Sequence, residues 1–354
     1  MMLCRILFCF IALLGLSFSS LSAEIKIGVS APLSGDLAEY GTAVRQGIDL
    51  AIKHDSAAFD SIKFVYEDNK YDSAATVSAL NKLTQIDQIQ LLFQWGELPL
   101  HATADTLERL KLPSIVMSVD AAPALGKKYL LRASNHPNDF AAILVANLKQ
   151  RGFKRLAFIA TEDPFTMSLY NSFKSLGSKD FEITLVAAVS PSEQDFKTNA
   201  ISIKKGKYDA LGVFLNPGQV SNFCRQAAAL NLSLPIFGTD IFESRNEIKN
   251  SADQLEGAVY PNFTVPADFA KAYLSSYGND YQISYAYNAY IFAKISAAVL
   301  PKGEQKMSAE EILAAYKNVP ADLGIKLISS AELGQYYHFP MRLMRVSGEF
   351  VKPN

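Results

Sequence analysis

Strand-like and helix-like segments alternate along almost the whole chain, and they do so in two successive series. Residues 25–30 (I-K-I-G-V-S) read as a buried strand, after which Val44, Ile48, Ala51 and Ile52 recur at helical spacing. Residues 62–67 form the next strand, 71–85 a helix, 89–95 a strand, 100–110 a helix and 114–118 a strand. A second series starts after Arg132, with a helix over 139–151, a strand over 155–161, a helix over 165–176 and strands over 183–189 and 210–215. It ends with a helix over 220–230 and a short strand over 235–238. Such alternation predicts parallel sheets with right-handed crossovers and helices on both faces. Two consecutive series predict two similar α/β lobes, and 354 residues suffice for two lobes of roughly 150 residues each. No linker rich in Pro, Gly or Ser separates them, so strand-like crossings are expected to join them.

The N-terminus has a different composition. Residues 6–16 (I-L-F-C-F-I-A-L-L-G-L) follow the single basic residue Arg5 and precede S-S-L-S-A. This is the pattern of a secretory signal, with cleavage expected after Ser22 or Ala23. The run is shorter than the ~20 apolar residues of a bilayer span. The chain is therefore expected to be exported to the periplasm and not to stay in the membrane. Beyond the signal only Cys224 remains, which excludes an internal disulfide. With 34 basic and 35 acidic residues spread without blocks, the chain lacks the basic stripe that nucleic acid requires. No Cys/His metal spacing is present, and no cofactor is expected. Neither a nucleophile elbow, a P-loop nor a G-x-G-x-x-G fingerprint follows the first strand, which points to a binding protein and not an enzyme.

Three motifs carry a family resemblance. Residues 24–41 read E-I-K-I-G-V-S-A-P-L-S-G-D-L-A-E-Y-G, residues 285–289 read Y-A-Y-N-A, and residues 334–350 read G-Q-Y-Y-H-F-P-M-R-L-M-R-V-S-G-E-F. In this order they resemble the opening strand and loop, an internal helix and the closing hairpin of the leucine/isoleucine/valine-binding type of periplasmic solute receptor. The resemblance implies a type I periplasmic binding fold, two Rossmann-like α/β lobes joined by a three-strand hinge. It places crossings near Ser134, Asn262 and Lys326. One lobe would then comprise 24–134 and 263–325, the other 135–262 and 326–354. It also implies a receptor that closes on a small molecule and delivers it to the permease of an ABC importer, or a sensor that signals to a membrane partner.

In open α/β sheets ligands sit beyond the carboxyl ends of the strands. The loops to read are 32–41, 96–99, 119–123, 162–165, 216–218 and 239–242. Tyr40 matches the family's ligand-covering aromatic position, and Ser34 belongs to a loop that allows close backbone approach. Trp95, the only tryptophan, ends a strand where it offers an aromatic face or ordinary packing. Gly96, Glu97 and Leu98 stand where the family's amino-acid receptors carry hydroxyls for the ligand carboxylate. Asp120 and Ala121 likewise replace a segment that usually offers a threonine. Phe165 takes the place of a family tyrosine, and Asn216 sits on a comparable loop. Asp240 matches the family's acid for an ammonium group, although a strand-end aspartate equally fits a helix cap. These loops carry Glu39, Glu97, Asp120, Glu162, Asp163 and Asp240 but no Lys or Arg. The inventory favours a small ligand with a cationic nitrogen and an apolar or aromatic portion; branched-chain amino acids are the alternative.

Overall fold

The computed structural model describes residues 24–302, 307–348 and 350–353; the expected signal lies outside them. Five parallel strands open the described chain: β1 (Ile25–Ala31), β2 (Ile62–Asp68), β3 (Leu91–Trp95), β4 (Ser114–Met117) and β5 (Leu130–Arg132). Five more repeat the arrangement: β6 (Arg155–Thr161), β7 (Glu182–Val189), β8 (Ala210–Phe214), β9 (Ile236–Gly238) and β10 (Val259–Phe263). The last four are β11 (Lys326–Ser330), β12 (Gly334–His338), β13 (Met341–Ser347) and β14 (Phe350–Pro353). They form two seven-stranded sheets of matching order, β11-β12-β5-β4-β3-β1-β2 and β14-β13-β10-β9-β8-β6-β7. Central strands such as β3, with Leu91, Leu92 and Phe93 all fully buried, are apolar on both faces because helices cover both.

The helices are α1 (Ala38–His54), α2 (Ser73–Asn81), α3 (Glu97–Leu110), α4 (Pro137–Gln150), α5 (Pro164–Gly177), α6 (Lys197–Lys205), α7 (Gln219–Ala229), α8 (Arg245–Lys249), α9 (Ala267–Tyr277), α10 (Ile283–Val299) and α11 (Ala309–Lys317). Their starts follow local chemistry. Asp72 accepts the Ala75 N–H at 2.8 Å and Asp163 the Thr166 N–H at 3.0 Å, while His136 and Asp139 form a capping box on α4. The periodicity over 71–85 overruns α2, because Lys82–Ile86 continues as a π-turn. α6, which has no strong apolar face, is not visible in the periodicity at all.

The third crossing differs from expectation. Lys326 begins β11, which pairs antiparallel with β12, and β12 runs parallel to β5 in the first sheet. β13 pairs instead with β10 in the second sheet. The expected closing hairpin therefore does not exist as one unit, and the assignment of 326–354 to the second lobe is corrected: residues 326–338 belong to the first. The crossing falls at Phe339 and Pro340, and proline has no N–H to extend a ladder. The Asn135 amide accepts the Phe339 N–H at 2.9 Å and donates to its carbonyl at 3.0 Å, and the Thr264 N–H reaches the Pro340 carbonyl at 2.8 Å. The three crossings are thus tied to one another beside the cleft.

α1 packs on α10 so closely that a Cβ on Gly47 would stand 2.0 Å from the Ala286 carbonyl oxygen. Backbone cannot yield as a flexible side chain does. Gly47→Ala should therefore destabilise the fold by about 3 kcal/mol, read as a lower urea midpoint. An unchanged midpoint would show that the two helices are not in backbone contact.

Candidate functional site

The carboxyl ends of the two sheets face each other across a cavity of about 280 Å³. Its walls are aromatic: Tyr40 from the first turn of α1, Trp95 at the end of β3, Tyr71 from the loop after β2, Tyr285 from the first turn of α10, and Phe165 from α5 of the second lobe. Ring centroids lie 5.2 Å apart for Tyr40–Trp95 and for Tyr40–Tyr285, 5.5 Å for Tyr71–Trp95 and 5.7 Å for Trp95–Tyr285. Gly96 makes the arrangement possible. Its φ is +109°, and a Cβ there would come within 2.6 Å of the Tyr71 ring. Only glycine lets β3 turn into α3 while Tyr71 lies on the turn. Trp95 Nε1 and Tyr40 Oη are buried without a hydrogen-bond partner among the described residues.

Behind these rings lie carboxyl groups. Glu97 is 6% exposed, accepts the Val119 N–H at 2.9 Å and lies beside its own backbone N–H and the Tyr71 hydroxyl. Burial pushes it up to about 8 against those hydrogen bonds, with Asp163 and Asp240 adding repulsion. Asp240 lines an adjoining recess with Glu97, Trp95 and Phe165, and accepts the Tyr285 hydroxyl from the other lobe. Burial raises it to about 6. One turn on, Glu243 accepts Ser284 Oγ at 2.7 Å and Asn262 Nδ2 at 2.8 Å, and burial raises it to about 7. Arg245 pairs with Asp280 on the same side of the cleft, so residues 240–245 of the second lobe meet 280–285 of the first. Buried carboxyls with raised values are a cost that a bound positive charge removes.

Cations are scarce here. Lys70, exposed and at a φ of +52°, is the only Lys or Arg on the cavity wall among the described residues. Arg132 is buried close by, but its Nη1 donates to the Ser118 and Val119 carbonyls at 3.2 and 3.0 Å and its Nη2 to the Leu333 carbonyl at 3.4 Å. Burial lowers it to about 10.

Of the residues singled out in the sequence, Tyr40, Trp95, Glu97, Phe165 and Asn216 line the cavity and Asp240 the recess. Four are corrected. Ser34 is exposed and donates to Asp68 at 2.5 Å. Asp120 faces a separate groove, where it pairs with His101 at 2.7 Å and accepts the Ala122 N–H at 3.1 Å; Ala121 lines the same groove. Gly96 shapes the wall through its backbone without lining the cavity. Lys70 and Tyr71 join the site from the loop after β2, which is not among the loops singled out although it too follows the carboxyl end of a strand. Tyr285 stands in the Y-A-Y-N-A motif, so the signal for it lay in the place of that motif in the fold. Glu243 carries no sequence signal beyond lying three residues after Asp240.

Comparison with known proteins fits this geometry. The family model described as periplasmic binding protein matches residues 24–349. A Leu/Ile/Val-binding protein, BraC3, of Rhizobium johnstonii is 24% identical over 330 residues, covering 87% of this chain and 89% of that one. The crystal structure of a leucine binding protein, LivK, from Thermotoga maritima superposes with a TM-score of 0.82 at 17% identity, covering 93% of this chain and 97% of that one. A solute binding protein of an ABC transporter from Rhodopseudomonas palustris, in complex with 3,4-dihydroxy benzoic acid, gives 0.78 at 19% identity, covering 94% and 96%. Among the described residues no helix is long and apolar enough to cross a membrane. With a match over residues 24–349, the chain belongs to the periplasmic binding protein family, whose members are binding proteins and not enzymes.

Proposed function

We propose that this protein is an exported receptor that closes on a small ligand bearing a cationic nitrogen and an apolar or aromatic portion, and delivers it to the permease of an ABC importer. The observation that carries the reading is the pairing of an aromatic box with buried carboxyls: Tyr40, Tyr71, Trp95 and Tyr285 around a cavity that Glu97 and Asp240 border. Aromatic faces attract cations, by about 2 kcal/mol or more when water is excluded. Carboxylates held in the same desolvated space add to that attraction and repel anions. At about 280 Å³ the cavity suits a ligand at the small end of the usual range of roughly 300–1,000 Å³. Because the walls come from both lobes, a ligand binds the closed arrangement better than the open one and drives closure.

A free amino acid or aromatic acid is the second reading. Lys70 on the wall and the unpartnered Trp95 Nε1–H favour it, since both can receive an anionic oxygen.

A thermal-shift panel of amines, amino-acid amides and the matching free acids tests the choice. A ligand at about 100 times its dissociation constant stabilises by about 2.7 kcal/mol, which a panel resolves easily. Amines and amides are expected to raise the melting temperature more than their acids. Larger shifts with leucine, valine or benzoate would select the second reading.

A further inference from the structure

We propose that Glu97 is a tethered carboxyl group that fills the cleft's own anion seat, formed by the start of α3 and the Val119 N–H, and so excludes ligands with a free carboxylate. The inference rests on the cationic-ligand reading and assigns the residue that sets it.

The start of a helix gathers unpaired N–H groups and a partial positive charge, a natural place for an anion. α3 is 14 residues long, and its N-cap Gly96 offers no side chain to satisfy them. Glu97 does so from inside the helix. Its carboxyl takes the Val119 N–H at 2.9 Å and lies beside its own N–H and the Tyr71 hydroxyl. The Val119 N–H, a donor that a ligand carboxylate would need, is thereby occupied.

Simple helix capping does not account for this. A cap works as well from an exposed aspartate or serine one residue earlier, as Asp72 shows on α2. Glu97 instead lies 6% exposed on the wall of the cavity, where a carboxyl is costly. The seat is also built to stay in place. Arg132 holds the peptide carbonyls of Ser118 and Val119 and packs its guanidinium over Tyr336, 5.0 Å from the ring centroid. Trp95, 6% exposed and lining the same cavity as Glu97, keeps an Nε1–H without a partner among the described residues, so a donor for a neutral or anionic oxygen is left over on the cavity wall.

The test uses two matched probe pairs, leucinamide with leucine and benzylamine with benzoate, titrated into the purified protein and two variants. Glu97→Ser vacates the seat and leaves its donors free. It should bind leucine or benzoate about tenfold or more tighter than the parent does. Glu97→Gln keeps the seat filled, because the amide oxygen can still take the Val119 N–H, and removes only the capacity to ionise beside a cation. It should gain far less acid binding than Glu97→Ser while losing amine affinity. Equal gains in the two variants would mean that charge alone excludes acids, and no gain in Glu97→Ser would mean that the seat is not an anion site. Either result overturns the proposal. If Glu97→Ser does not fold, Glu97→Gln still decides: a tenfold gain for acids in that variant contradicts a filled seat, and its absence supports one. A parent protein that already prefers the acids sinks the cationic-ligand reading itself, which is a separate outcome visible before any variant is made.

Discussion

Asp240→Asn should weaken binding of a cationic ligand by about 2–4 kcal/mol, some 30- to 700-fold in the dissociation constant. The substitution is nearly isosteric, and the amide oxygen still accepts the Tyr285 hydroxyl that reaches it across the cleft. What disappears is the charge. The same substitution should stabilise the empty protein at pH 7, because burial has raised this carboxyl to about 6 from 3.8 and its ionised form sits in the cleft at a cost of about 2–3 kcal/mol. Binding and stability are therefore expected to move in opposite directions, which a merely structural aspartate would not produce. Titration calorimetry gives the first quantity and urea unfolding the second. A loss of both would reduce Asp240 to a lobe-to-lobe contact.

Two features of the chain explain how far its sequence could be read. The parallel strands, buried on both faces, give continuous apolar runs, and the helices between them give a period of 3.6, so β1 to β4 and β6 to β9 stand out without any tertiary information. β12 and β13 do not, because only two residues separate them and nothing local says that they join different sheets. The site was legible to the extent that it lies at strand ends: Trp95, Glu97 and Asp240 follow from that rule alone. Ser34 and Asp120 satisfy the same rule and lie elsewhere, since Asp68, 34 residues on, and His101, 19 residues back, claim their side chains. Such long-range partners cannot be read from spacing. Tyr285 and Glu243 enter for the converse reason, because the fold brings 280–285 against 240–245.

The second large effect is on pH dependence. Glu97, Asp240 and Glu243 are raised by burial to about 8, 6 and 7 from ordinary values of 4.5, 3.8 and 4.5. Between pH 4 and 8 the empty folded protein thus holds more protons than the unfolded chain, and its stability must fall as pH rises through that window. The contribution is fully present below the unfolded values and lost above the folded ones. Across three groups it amounts to several kcal/mol, since a tenfold change in one ionisation constant is worth about 1.4 kcal/mol. A cationic ligand favours the ionised carboxyls, so binding should release protons, and affinity should rise by up to about tenfold for each pH step of one and each proton released. Melting curves of the empty protein at pH 5, 6, 7 and 8, repeated with a saturating amine, check both halves. Stability that rises with pH in the empty protein would show that these carboxyls are already charged and compensated.

A crystal structure of the complex with the tightest-binding compound from the thermal-shift panel decides between a cation site and an anion site. A positively charged nitrogen is expected among the Trp95, Tyr40 and Tyr285 rings and within ion-pair distance of Asp240 or Glu97, with the Glu97 carboxyl still on the Val119 N–H. A ligand carboxylate seated at the start of α3, with Glu97 swung away from Val119, would contradict the cationic-ligand reading.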